Sequence, residues 1–257
     1  MDIILLLKII FLSFIQGISE FFPISSSGHL VIFQNVLGMG EVINDLLLYD
    51  IFLHIGTLLS VIIFFYHDLK ELVFNFRKKE NFEFIKLIIT ASIPTAIIGL
   101  FFKDQLEKMF DKPELVGYTL VITGIVLFIS KYIRLNKINI YFTVFIIGLI
   151  QGIAIVPGLS RSGLTISVAL ILAMGYEFSF KFSFILSIPA ILGALLLKLK
   201  DFQVNDDIAY MIIGLILAAL FGLIALKILK KIILKKKFHY FSYYCMFAGI
   251  ITIIVLS

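Results

Sequence analysis

The sequence is poor in charge. Only 15% of its 257 residues are Asp, Glu, Lys or Arg, against 61% hydrophobic, and its mean hydropathy is +1.09. A water-soluble domain of this length carries far more charge, so a soluble globule is excluded. The chain has a single cysteine, Cys245, inside an apolar segment. One thiol excludes both a disulfide within the chain and a cysteine metal site. The period-two alternation of a membrane β-barrel is missing. So is a glycine loop followed by lysine, and no ATP site is indicated. The N-terminal apolar segment lacks a basic start and a small-residue cleavage site; it reads as mature protein, not as a signal peptide. The net charge of +5 comes from lysines grouped in loops. The excess of basic residues in cytoplasmic loops of membrane proteins explains it without nucleic acid.

What the sequence does have is long apolar runs. Leu46–Tyr66 and Tyr210–Leu226 are long enough, at about 1.5 Å per residue, to cross a hydrocarbon core of roughly 30 Å. Further spans are expected at 84–102 (with a kink at Pro94), 115–132, 180–197 (containing Pro189) and 238–256. The loops at 67–83, 131–137 and 227–237 are basic and belong in the cytoplasm. Those at Lys103–Glu114 and Lys198–Asp207 belong outside. Two further apolar stretches, 3–22 followed by 30–37 and 140–156 followed by 163–174, are each interrupted by a polar break. Their second arms are too short to span, which points to re-entrant hairpins. The expected fold is an all-α polytopic membrane protein with six transmembrane helices plus two re-entrant helical hairpins, and both termini outside.

The two polar breaks repeat one another. With an offset of 135, Gln16, Gly17 and Ile18 fall on Gln151, Gly152 and Ile153, and Ser25, Ser27 and Gly28 fall on Ser160, Ser162 and Gly163. Three spans follow each hairpin, and the first hairpin opens outward while the second opens inward. The chain therefore reads as one membrane domain built from an inverted-topology repeat, about 1–133 and 140–257. In such repeats, broken helices meet near the midplane, where free N–H groups can bind an anion.

Polar groups at membrane depth are functional candidates by default. Glu20 closes the first arm, with Gln16 one turn earlier on the same face. A buried carboxylate needs a cation, a metal or a donor, so Glu20 is read as a metal ligand or proton acceptor. Ser25-Ser26-Ser27-Gly28 supplies more hydroxyls than capping a helix needs, and such a loop can cradle phosphate. His29 can serve as acid, base or nucleophile. In the second break, Ser160-Arg161-Ser162-Gly163 carries the one arginine placed deep in apolar sequence. Its guanidinium suits phosphate oxygens, or else forms an internal salt bridge with Glu20. Thr165 adds another hydroxyl. His54 with Thr57 is expected either to line the cavity or to be satisfied by a neighbouring helix. Together these residues describe a membrane-embedded site for a phosphorylated molecule with an apolar remainder.

At the two breaks, Gln16-Gly-Ile-Ser-Glu20 with Pro23-Ile-Ser-Ser-Ser-Gly-His29, and Pro157-Gly-Leu-Ser-Arg-Ser-Gly-Leu-Thr165, the sequence resembles the undecaprenyl-diphosphate phosphatase, or bacitracin-resistance, family. It departs from that pattern at Gln16, where many members have Glu. The resemblance implies hydrolysis of a polyprenyl diphosphate to the monophosphate and phosphate, which recycles the carrier lipid for cell-wall glycans. It also implies a divalent cation, Mg²⁺ or Ca²⁺, and a site facing the outer side of the cytoplasmic membrane. On this reading Ser160–Gly163 and the Ser25–Gly28 loop bind phosphate, Glu20 and Gln16 hold the metal, and Ser26, His29 or water activated by Glu20 attacks. A polyprenyl-phosphate transporter remains the alternative, since inverted repeats are common among carriers. Gly193-Ala194 and Ala218-Ala219 permit close helix packing within one chain or in a homodimer.

Overall fold

The computed structural model describes residues 3–41, 43, 46–102, 109, 113–136, 138–198 and 208–256. Eleven α-helices run through them: α1 (Ile3–Ser19), α2 (Ser26–Val36), α3 (Leu46–Phe64), α4 (Tyr66–Phe74), α5 (Lys79–Phe101), α6 (Pro113–Tyr132), α7 (Ile140–Ile153), α8 (Arg161–Ile171), α9 (Tyr176–Lys198), α10 (Ile208–Leu234) and α11 (Phe241–Leu256). No strand occurs among the described residues. The helices start where the sequence allows. Pro113 opens α6, a position whose N–H would have no helical partner, and the Asn139 side chain accepts from Tyr141 and Phe142 N–H to cap α7.

Among the described residues, five stretches are long and apolar enough to cross a membrane alone: Lys79–Phe101, Glu114–Tyr132, Tyr176–Leu197, Ile208–Leu234 and Phe238–Val255. A sixth is obtained when α3 and α4, bent by 72° at their junction, count as one span. These are the six expected crossings. The chain is thus an all-α polytopic membrane protein. The short helices α1, α7 and α8, with α2, form the two hairpins around the polar breaks. The lipid-facing side is plain on α10, which exposes Ile212, Ile216, Leu220, Ile224 and Ile228 at steps of four.

The structure differs from expectation at the basic segments. Residues 67–83 are not one loop: α4 occupies Tyr66–Phe74 and α5 already begins at Lys79. Likewise α10 runs through Lys227, Lys230 and Lys231 before ending at Leu234. Lysine and leucine are good helix formers, so helices continue past their apolar stretch into water. Lys137, and the outer loops apart from Met109, Pro113, Glu114 and Lys198, lie outside the described residues.

The three segments assigned to the cytoplasm meet, together with the open end of the second hairpin, at one end of the molecule. Lys181 pairs with Asp68, Tyr141 donates to Glu83 at 2.5 Å, and the Lys230 ammonium sits 5.9 Å from the Phe64 ring. Arg134 and Lys236 both lie over Tyr176. Exposed Tyr66, Tyr132, Tyr240 and Tyr243 ring the same end, as tyrosines do where hydrocarbon meets headgroups.

Small residues let the two halves interlock. Helix α1 packs on α10 and α5 packs on α7, while α6 packs on α11. Under the repeat correspondence the first two pairs exchange and the third maps onto itself. Contacts are close enough to need glycine: a Cβ on Gly56 would lie 2.2 Å from the Leu215 carbonyl oxygen, and one on Gly148 would lie 2.0 Å from that of Ala91. Ala218 is fully buried in this packing, whereas a Cβ on Gly193 would meet nothing within 4 Å.

Candidate active site

Each hairpin breaks at a serine that caps the next helix. The Ser25 hydroxyl accepts from Gly28 N–H at 3.3 Å, and the Ser160 hydroxyl accepts from Gly163 N–H at 3.1 Å. Ser25 and Ser27 hydroxyls are 3.4 Å apart, and those of Ser160 and Ser162 are 3.3 Å apart. The repeat found in the sequence is therefore a repeat of hydrogen bonds. One asymmetry stands out. Ser25 holds φ 69, in the left-handed region that favours glycine, whereas Ser160 is extended at φ −84.

The tips cross. A Cβ on Gly28 would lie 3.1 Å from Gly158 Cα, and one on Gly163 would lie 3.1 Å from Pro23 Cβ. Each helix start thus abuts the loop of the other hairpin. Two helix N-termini, each with first-turn N–H groups free of helical partners, converge on one place and favour an anion there.

The tips are held by one helix each. On α6, Thr119 donates to the Pro157 carbonyl at 2.7 Å, and Thr123 accepts from Ser160 N–H at 3.1 Å. On α11, the Cys245 thiol donates to the Pro23 carbonyl at 3.2 Å. Gly158, at φ +86, has the Val116 carbonyl and Thr119 so near that no side chain fits.

At the crossing lies Glu20, buried and heavily partnered. One carboxylate oxygen accepts from the Arg161 guanidinium. The other accepts from Ser26 at 2.6 Å and from the Gln16 amide at 3.1 Å, and lies 3.7 Å from His54 Nε2. The internal salt bridge that the sequence left open is therefore formed. The Glu20 side chain is 5% exposed, Arg161 20% and His54 33%, so an incoming group reaches the arginine and the histidine first.

Not every expected residue joins this cluster. The Thr165 hydroxyl donates to the Arg161 carbonyl at 2.7 Å and meets Ser183 at 2.6 Å, so it ties α8 to α9. His29 is buried with both ring nitrogens bonded, Nδ1 to the Ser25 carbonyl at 2.7 Å and Nε2 to the Tyr244 hydroxyl at 2.7 Å. Ser26 and Ser27 remain half-exposed. Among the described residues, no three His, Cys, Asp or Glu side chains converge to hold a metal. Gln16 Oε1 is buried and without a partner.

The model of the family described as bacitracin resistance protein BacA matches residues 9–251. The chain belongs to this family. It is 42% identical over 256 residues to the undecaprenyl-diphosphatase of Halothermothrix orenii, covering 96% of this chain and 97% of the relative. It is 41% identical to that of Carboxydothermus hydrogenoformans, covering 96% and 95%. A third relative of the same name, from Methanosphaera stadtmanae, is 38% identical over 273 residues, covering 97% and 98%.

Sequence reading did not assign Thr119, Thr123, Tyr244 or Cys245 to the site, and it left His54 undecided. The two threonines carried a legible signal, since residues four apart share a helix face. Tyr244 carried none, because it sits among tyrosines that only mark the interface.

Proposed function

We propose that this member of the family is an undecaprenyl-diphosphatase, an integral membrane hydrolase that releases phosphate from a polyprenyl diphosphate and returns the monophosphate carrier lipid for cell-wall glycan synthesis. The observation that carries this reading is the Glu20 carboxylate, held between Arg161 and Ser26 where two helix N-termini cross. Arg161, 20% exposed, offers a planar fork of donors to the terminal phosphate. The free N–H groups at the starts of α2 and α8 add to it, with Ser27 and Ser162 beside them. The prenyl chain lies between helices in the lipid.

The attacking group is the Ser26 hydroxyl, because its O–H already donates to a carboxylate at 2.6 Å, the arrangement of a nucleophile and its base. Ser26 Oγ bonds to the terminal phosphorus, its proton passes to Glu20, and the bond to the bridging oxygen breaks, leaving the prenyl monophosphate. Water then cleaves the phosphoserine, and the hydroxyl regains a proton. His29, with both nitrogens engaged, is not the nucleophile.

The donor set suits a hard divalent cation, Mg²⁺ or Ca²⁺, that takes one carboxylate and an amide oxygen from the protein and the rest of its ligands from phosphate and water. Glu20 and the unpartnered Gln16 Oε1 would hold it. When bound it neutralises charge on the phosphate oxygens. We place the basic end in the cytoplasm of the cell membrane, so α1 enters from the outer side and the site opens there. The exposed Gly193-Ala194 step on α9 is where a second copy would pack in a homodimer.

Purified protein in detergent should release phosphate from undecaprenyl diphosphate, lose that activity with chelator and with Arg161→Ala, and carry trapped phosphate on Ser26 after rapid quench. A pure carrier would release none. Turnover without any trapped phosphate would replace Ser26 by activated water.

A further inference from the structure

The one histidine of the first break is turned away from open space. His29 Nδ1 faces the Ser25 carbonyl, an atom that can only accept, so Nδ1 carries the proton. In the neutral ring Nε2 is then a bare acceptor, and the Tyr244 hydroxyl, 2.7 Å away, donates to it. The two rings also stack, 5.8 Å apart and inclined by 17°. The bond between them joins residues 215 apart in sequence.

The residue that His29 grips is the strained one. Ser25 sits at φ 69, a conformation that costs a non-glycine residue on the order of 1–2 kcal/mol and persists only where its surroundings enforce it. Its carbonyl takes both the His29 backbone N–H, at 3.3 Å, and the imidazole. The next residue is Ser26, whose aim at Glu20 depends on where the Ser25 peptide points. The same turn of α11 braces this tip twice more, through the Cys245 thiol on the Pro23 carbonyl and through Phe241 against Phe22, with ring centroids 5.2 Å apart. Residues 241, 244 and 245 share one helix face. Tyr240 and Tyr243 next to them are more than half exposed and do what interfacial tyrosines do; Tyr244 alone of the three sends its hydroxyl into the tip.

We propose that Tyr244 and His29 are positioning residues: the Tyr244 hydroxyl fixes the proton on His29 Nδ1, and that N–H holds the left-handed Ser25 peptide so that Ser26 points at Glu20. His29 is then a strut and moves no proton in turnover. This rests on Ser26 as the attacking group proposed above.

The test compares two replacements of the same histidine. Asparagine places a donor close to where Nδ1 was and can reach the Ser25 carbonyl; glutamine extends its amide toward the old Nε2 and cannot. A strut therefore predicts that His29→Asn keeps activity within about tenfold of the parent, one hydrogen bond's worth, while His29→Gln loses at least ten times more, in kcat with KM unchanged. Tyr244→Phe should cost about tenfold in kcat, whereas Tyr243→Phe leaves it unchanged. Nitrogen-15 spectra of histidine-labelled protein, assigned by loss of the signal in His29→Asn, should show His29 protonated at Nδ1 and bare at Nε2, with the pattern altered in Tyr244→Phe. Equal loss in the Asn and Gln variants, or a proton found on Nε2, overturns the proposal. Retained turnover in Ser26→Ala overturns the nucleophile instead, and the nitrogen spectra and the Asn–Gln comparison still judge the strut.

Discussion

Gly28→Ala is a small change placed where the two hairpins touch. The added carbon would lie 2.8 Å from Val116 Cγ1, 3.1 Å from Gly158 Cα and 3.3 Å from Gly158 N. Carbon atoms in contact prefer about 3.5–4.0 Å, so α2 must draw back by close to 1 Å from α6 or from the second tip. Gly158 cannot give way, because its own backbone is wedged against Val116 and Thr119. Overpacking of this size costs about 1–3 kcal/mol, partly offset by the roughly 0.5–1 kcal/mol that alanine gains over glycine in a helix. The net loss of stability is modest, about 1–2 kcal/mol. The effect on rate is larger, because Ser26 and Arg161 stand on the two tips being pushed apart. A misplacement of about 1 Å costs on the order of a hundredfold. Phosphate release from undecaprenyl diphosphate gives kcat, and thermal unfolding in detergent gives Tm. Gly99→Ala, whose Cβ would meet Ile155 Cδ1 at an ordinary 3.5 Å, should leave both near the parent values. Val116→Ala in the Gly28→Ala background should restore part of the lost rate. Parental kcat and Tm in Gly28→Ala, or no recovery in the double variant, would refute the crossed-tip geometry.

Glu20→Ala and Arg161→Ala should each destabilise the protein by about 3–5 kcal/mol, since each strands a buried charge. The double variant should cost far less than the sum, and additive losses in denaturant titrations would show that the pair is not coupled. Replacing Gln16 by Glu adds a second carboxylate to the proposed cation ligands and should lower the Mg²⁺ or Ca²⁺ concentration for half-maximal activity by about tenfold; an unchanged metal dependence would remove Gln16 from the ligand set. Cys245→Ala removes one buried hydrogen bond and should cost about 0.5–1.5 kcal/mol. In the parent protein, the buried Cys245 thiol should resist maleimide until denaturant is added, and rapid labelling of folded protein would count against its contact with Pro23.

Much of this architecture was legible because lipid leaves few alternatives. A chain this apolar must pair its backbone groups within helices, and the lysine clusters give the order of the crossings. The repeat was legible because the caps Ser25 and Ser160 recur with their glycines three residues on. What could not be read was which partner each polar group takes. Arg161 near Glu20 had two readings, phosphate clamp and salt bridge, and sequence spacing cannot choose between groups 141 residues apart. Thr165 looked like another hydroxyl of the break, yet as a residue one turn into α8 it bonds back to Arg161 and across to Ser183. His54 lay in an ordinary span; only the packing of α3 beside the first hairpin brings it to the carboxylate. The helix at Tyr66–Phe74 is hidden in the sequence because its charged residues resemble those of a loop, although lysine, glutamate and leucine are good helix formers.

The crossed tips also have a consequence for how the protein is made. The carboxylate of Glu20 enters the membrane with the first hairpin, and its cation follows only after 141 more residues are synthesised. Until then the nascent chain carries a costly acid at membrane depth that has only Ser26, Gln16 and His54 beside it, and Gly28 and Pro23 lack the second tip. A chain halted after α6 therefore lacks both the guanidinium proposed to grip phosphate and the countercharge of Glu20. Completion of α8 brings both the missing countercharge and the missing surface, and the last helix, α11, adds the Tyr244 and Cys245 contacts to the first tip, so the proposed site is complete only when the whole chain has been inserted.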